Sequence, residues 1–151
     1  MARLTRLQIE LSTGKIDRRV FDTGTSNEFP VINPAYVGKR HRYAYIACNR
    51  ADRMTGLQQQ LAKVDFQTGT VQRHDFGPDG GYPGEPLFIA TPGGAEDDGV
   101  LVTLVYDAGR QRTDVVGLDA RNISAKPLFA ARLAHHVPFL LHGTFTPRLF
   151  D

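Results

Sequence analysis

The apolar positions of this chain fall into short runs separated by glycine and proline, and most keep no helical period. Arg42-Tyr43-Ala44-Tyr45-Ile46-Ala47-Cys48, Val100 to Tyr106, and Asp114-Val115-Val116-Gly117-Leu118 are rich in β-branched and aromatic residues, the composition of strands. Several are apolar at successive positions, so both faces must be covered, as in stacked sheets. Thr55 to Val64 places Leu57, Leu61 and Val64 at helical spacing. It is short and has no stop signal, so a strand is the stronger reading there. Ser12-Thr13-Gly14-Lys15, Gln67-Thr68-Gly69-Thr70 and Asp107-Ala108-Gly109-Arg110-Gln111-Arg112 put glycine where hairpins need a positive φ. Ala95-Glu96-Asp97-Asp98-Gly99 lacks the alternating oxygen donors of a calcium loop and reads as a polar turn before a strand. The pattern predicts an all-β chain.

Repetition sharpens that prediction. Leu7-Gln8-Ile9-Glu10-Leu11-Ser12-Thr13-Gly14 aligns with Leu61-Ala62-Lys63-Val64-Asp65-Phe66-Gln67-Thr68-Gly69, and Val115-Val116-Gly117-Leu118-Asp119-Ala120 is a weaker third copy. A second series runs in step: Glu28-Phe29-Pro30, then Glu85-Pro86-Leu87-Phe88, then His142-Gly143-Thr144-Phe145. Its ionisable residues are 57 positions apart (28 to 85, 85 to 142). A period in the mid-fifties, built of short strands and glycine turns, suits one four-stranded propeller blade with a long connection. The expected division is 1–24 as the end of one blade, 25–80 and 81–137 as one blade each, and 138–151 as a final axial strand. Equivalent positions on the first strands of successive blades converge on the propeller axis. His142, Glu85 and Glu28 are therefore expected to meet there.

Composition changes little. The 151 residues are 41% hydrophobic and 23% charged, as in a folded globular domain. The net charge of +2, from 18 basic and 16 acidic residues, is too small and scattered to suggest a nucleic-acid or acidic-lipid partner. Lys39-Arg40-His41-Arg42 reads as the flank of a strand. The lone Cys48 allows no intrachain disulfide, fits a reducing compartment such as the cytoplasm, and reads as a small core hydrophobe. The N-terminus lacks the apolar core of a signal peptide, and no run is long enough for a transmembrane segment.

A neutral imidazole binds a transition metal through one nitrogen, and its other N–H then needs an acceptor. A carboxylate behind the ring fills that need and fixes the tautomer. On residue chemistry alone, Glu28 and Glu85 could equally bind the metal directly. His41, His74, His135 and His136 show no partner at metal-like spacing and are assigned no role.

Taken in order, several motifs resemble the carotenoid cleavage oxygenase family from about Leu4 to Phe150. They are Glu28-Phe29-Pro30 with Ile32-Asn33-Pro34, Tyr43-Ala44-Tyr45, Gly84-Glu85-Pro86-Leu87-Phe88, Glu96-Asp97-Asp98-Gly99-Val100-Leu101, Val137-Pro138-Phe139 and His142-Gly143-Thr144-Phe145. The resemblance implies a partial β-propeller, the last blades of a seven-bladed one. It also implies mononuclear non-haem iron, Fe(2+), held on the axis by four histidines, three of them hydrogen-bonded by glutamates. His142 then matches the last iron ligand, and Glu28 and Glu85 match two of the supporting glutamates. The implied reaction is cleavage of a conjugated C=C bond of an apolar polyene by dioxygen, giving two carbonyls. Four neutral ligands would leave the iron a dication with open positions for dioxygen.

Two departures follow. Leu140-Leu141 stand where the family has glycine and an aromatic. The remaining ligands and most of the substrate tunnel would belong to a complementing N-terminal segment, so the chain alone is expected to be inactive. Greasy substrates would favour peripheral contact with a membrane. The rival reading is a degenerate or truncated propeller piece that serves only as an interaction module or has no function. A zinc hydrolase is disfavoured, because no HExxH or comparable ligand set occurs.

Overall fold

A computed structural model describes residues 1–53, 56–77, 80–138 and 142–148. Its regular structure is β-strand apart from one 3₁₀ turn, Pro34–Tyr36, whose N-terminus is capped by the Asn33 side chain. Among the described residues all strand pairs are antiparallel and form three sheets. The first sheet is a hairpin of β1 (Leu4–Ile9) and β2 (Ile16–Phe21). The second runs in sequence order through β3 (Asn27–Val31), β4 (Tyr43–Cys48), β5 (Gln60–Asp65) and β6 (Val71–Asp75). In the third, β9 (Gly99–Asp107), β10 (Arg112–Asp119) and β11 (Phe129–Arg132) follow one another, while β7 (Gly81–Pro83) and β8 (Leu87–Ala90) each pair with β9. β7 lies opposite Val105–Asp107 and β8 opposite Gly99–Val102, so together they act as one broken strand. The third sheet thus repeats the four-strand plan of the second.

Alternation along β4 explains the stacking. Tyr45 and Ala47 face a core shared with Leu61, Phe88, Leu101, Val105, Val116 and Leu118, which joins the second and third sheets. Ala44, Ile46 and Cys48 point the other way, into a core with Phe21, Ala62, Val64 and Phe66 that joins the first and second. A strand covered on both faces tolerates an unbroken apolar run. Cys48 is fully buried there, and burial pushes its thiol pKa up. The helical spacing of Leu61 and Val64 is no helix: β5 sends them to opposite faces, one into each core. Thr55 lies outside the described residues.

The two strong copies of the first repeat make the same turn. Gly14 N–H donates to Glu10 O, and Gly69 N–H to Asp65 O, each at 2.8 Å. Both glycines have positive φ, +71° and +78°, which the turn requires. Arg42 donates to Asp65 at 2.9 and 2.6 Å through Nε and Nη2. These bonds hold the Asp65 carboxyl well below the usual carboxylate range, against the opposing effect of burial. A depressed folded pKa gives stability that is present above the unfolded value, about 3.9, and lost as pH falls through the folded one. We expect Asp65→Asn to make the urea midpoint less sensitive to acid below about pH 4. An unchanged acid limb in urea titrations would contradict this.

The polar turn at 95–98 ties the second and third sheets together. Glu96 Oε1 accepts from the N–H groups of Arg42 and Tyr43 at 2.6 and 2.7 Å. Asp97 Oδ2 lies 2.6 Å from Lys63 Nζ, and Asp98 pairs with Arg121. A Cβ on Gly99 would stand 2.4 Å from the Ile89 carbonyl oxygen, so glycine lets β8 approach β9. Three side chains of the second sheet donate to the loop after β10: Tyr45 to Ala120 O at 3.0 Å, Lys63 to Arg121 O at 3.1 Å, and His74 Nδ1 to Ile123 O at 2.9 Å. His74, assigned no role from sequence, is therefore an inter-sheet hydrogen-bond donor.

Candidate metal-ligand site

The irregular places in two strands build the site. On β3 the register slips between Glu28 and Val31, and Phe29 adopts φ +52°. Such a value is unusual for an aromatic residue. In the third sheet, Gly84-Glu85-Pro86 fill the break between β7 and β8. A proline has no N–H to offer a ladder, so Pro30 and Pro86 favour openings at corresponding points. Gly84 remains anchored: its N–H donates to Leu104 O at 2.8 Å and its carbonyl accepts from Thr103 Oγ1 at 3.1 Å. Glu85 leaves the strand at that anchored corner.

There the carboxylate meets His142. Glu85 Oε1 is 3.2 Å from His142 Nδ1, and Oε2 accepts from the Gly143 N–H at 3.0 Å. One carboxylate thus grips both the ring and the backbone that follows it. A carboxylate accepts, so Nδ1 carries the hydrogen, and in the neutral ring the lone pair is on Nε2. Phe29 packs edge-on against the same ring, with centroids 6.0 Å apart and planes at 88°. The Glu85 side chain is 17% exposed and that of His142 72%, so the imidazole is held from one side and open on the other. A cavity of about 170 Å³ beside the pair is lined mainly by apolar atoms of Tyr82, Leu87, Val102, Leu104, Tyr106 and Val137.

Glu28 is exposed on β3, one residue before Phe29, and makes no hydrogen bond to His142 among the described residues. His41 packs edge-on against Phe66, and His136 packs edge-on against Tyr106, a ring that lines the cavity beside the pair. His135 is exposed. Residues 142–148 carry no regular secondary structure, and Leu140-Leu141 lie outside the described residues.

The donor set decides what a metal would find here. His142 offers one neutral nitrogen with its tautomer fixed from behind, as a ligand imidazole requires. Among the described residues, no group of three or more His, Cys, Asp or Glu could hold a metal ion. The residues fit the place of one ligand with its carboxylate support, and do not make a complete centre.

A profile of the family described as "Retinal pigment epithelial membrane protein" matches residues 1–147. The chain belongs to this family, the carotenoid cleavage oxygenases. Among the relatives of this oxygenase-family chain, the apocarotenoid-15,15'-oxygenase of Synechocystis sp. is 36% identical over 143 residues, covering 94% of the chain and 29% of that protein. The chloroplastic 9-cis-epoxycarotenoid dioxygenase NCED1 of Oryza sativa subsp. japonica is 37% identical over 149 residues, covering 93% and 22%. The crystal structure of cobalt-substituted Synechocystis ACO superimposes with a TM-score of 0.88 at 36% identity, covering 95% of the chain and 30% of that structure. The chain therefore spans less than a third of the length of these relatives. The all-β propeller-blade architecture expected from the sequence is the one it has. No helix among the described residues is long and apolar enough to cross a membrane.

Proposed function

We propose that this chain forms the last blades of a non-haem iron(II) dioxygenase that cleaves a conjugated C=C bond of a carotenoid or apocarotenoid. The observation that carries the reading is the Glu85 carboxylate bound to both His142 Nδ1 and the Gly143 N–H, with the opposite face of the ring open. His142 Nε2 is the ligand atom. Glu85 holds the Nδ1 hydrogen, orients the ring and raises its basicity. Glu28, at the corresponding opening of the preceding sheet, supports a different ligand imidazole supplied from beyond these residues. In this reading, residues 25–80 and 81–137 are blades, 1–24 end another, and 138–151 supply the last axial strand. When bound, iron(II) supplies the open positions that let dioxygen react with the polyene. The chain's own share is to present Nε2, to hold the Nδ1 proton in place and to wall the site with apolar groups. The setting is the cytoplasm, next to a membrane that can deliver the apolar substrate.

One imidazole competes poorly with water and buffer for iron(II), which binds weakly among the first-row metals. The remaining ligands then come from a complementing segment. The purified 151-residue chain is expected to carry far less than one iron per chain and to leave an apocarotenal intact. Stoichiometric iron together with two carbonyl products would overturn this account.

A further inference from the structure

The first hairpin sets two cations opposite one another. Arg6 of β1 and Arg19 of β2 are register partners, so their side chains leave the same face. That face looks onto the second sheet. The Arg6 guanidinium stands over the Phe66 ring at 5.6 Å, and that of Arg19 over Phe21 at 4.6 Å. Phe21 and Phe66 are buried and in contact, with centroids 4.6 Å apart. Two guanidinium groups are thus placed side by side on one packed aromatic platform. Arg40 joins both along the groove between the hairpin and the second sheet, and His41 packs on the same Phe66 ring.

Like charges directly opposite in an antiparallel pair are destabilising. Among the described residues, Arg6, Arg19 and Arg40 make no ion pair. The carboxylate that lines the groove is engaged, since Glu96 Oε1 accepts two backbone N–H groups, and Asp17, in the adjoining recess beside Arg6 and Arg19, lies 3.8 Å from Lys15 Nζ. Basic residues that look scattered along the chain, at a net charge of only +2, are gathered by the fold.

We infer that this groove binds a phosphoryl oxyanion, the phosphate of a small ester or of a phospholipid head group, between Arg6, Arg19 and Arg40. Guanidinium forks match the paired oxygens of a phosphoryl group, and its negative charge, one in a phosphodiester and up to two in a monoester, relieves the repulsion between Arg6 and Arg19. The groove is built by the first and second sheets and stands apart from His142, so the inference holds or fails independently of the iron reading.

Calorimetry of the 151-residue chain with inorganic phosphate, and flotation with phosphatidylcholine vesicles with and without phosphatidylglycerol, test it. Binding should weaken by about tenfold or more in Arg6→Gln and Arg19→Gln, the loss of one charge-assisted contact. It should be unchanged in Arg132→Gln on β11. Without phosphate, the unfolding midpoints of the two groove variants should equal or exceed the parent's, which separates a lost site from a lost fold. Phosphate binding assigns a soluble ester. Binding confined to phosphatidylglycerol vesicles, and lost in both groove variants, assigns a lipid head group. Absence of both, binding that survives both substitutions, or an effect reproduced by chloride at equal ionic strength overturns the inference.

Discussion

Asp97→Ala is expected to destabilise the chain by about 3 kcal/mol, the largest effect of any single substitution in the ties between the second and third sheets. Lys63 is a charge inside the protein: its side chain is 4% exposed, and its Nζ lies 2.6 Å from Asp97 and 4.3 Å from the Tyr43 ring centroid. Removing one partner of such a pair leaves a largely buried ammonium without its counter-ion, at a cost of about 3–5 kcal/mol. Asp97 is 21% exposed, and the Arg121 carbonyl still accepts from Lys63, which places the effect at the lower end of that range. The double variant Lys63→Met/Asp97→Ala should recover most of the loss, because no buried charge remains. Urea unfolding of the parent, the single variant and the double variant measures this. Equal losses in the two variants would mean that the ion pair itself, rather than the stranded charge, supplies the stability.

The second large effect concerns Glu85. Glu85→Ala removes the acceptor of both His142 Nδ1 and the Gly143 N–H. Nothing then prefers the hydrogen on Nδ1, so nitrogen NMR of the imidazole should show the tautomer population shifting toward hydrogen on Nε2. Cobalt(II) affinity at His142 should fall by about 10- to 100-fold, the usual result of removing a carboxylate that supports a ligand histidine. Glu85→Gln keeps one acceptor oxygen and should fall between the two. An unchanged tautomer in Glu85→Ala would remove Glu85 from its positioning role.

Much of this was legible in the sequence, because repetition reports geometry directly. Glu10 and Asp65 open turns with the same hydrogen bond to the glycine four residues on, as their alignment implied. Glu28 and Glu85 sit at matching irregularities of two first strands, where proline cannot join the ladder. The weak third copy diverges in its turn: Asp119 O accepts from the N–H of Asn122, three residues on, where Glu10 and Asp65 accept from a glycine four residues on, although Ala120 N–H donates to Gly99 O as Phe66 N–H does to Arg42 O.

What the sequence hid depends on contacts between sheets. Spacing put Leu57, Leu61 and Val64 on one helical stripe, and it was shortness and the missing stop signal, not periodicity, that favoured the strand β5 forms, because β4 and β5 are buried on both faces. No local signal marks His74 as the donor to Ile123, or Lys63 as the partner of Asp97. The arginine groove was invisible because Arg6, Arg19 and Arg40 meet only when a hairpin folds onto another sheet.

The measurement closest to the central claim is a cobalt(II) titration of the 151-residue chain followed by proton–nitrogen NMR of its histidine rings and backbone amides. The account predicts that paramagnetic broadening begins at His142, spreads to Glu85 and Phe29, and disappears in His142→Ala. Broadening that starts instead at His41, His74 or the His135-His136 pair, with the His142 ring unaffected, would contradict it.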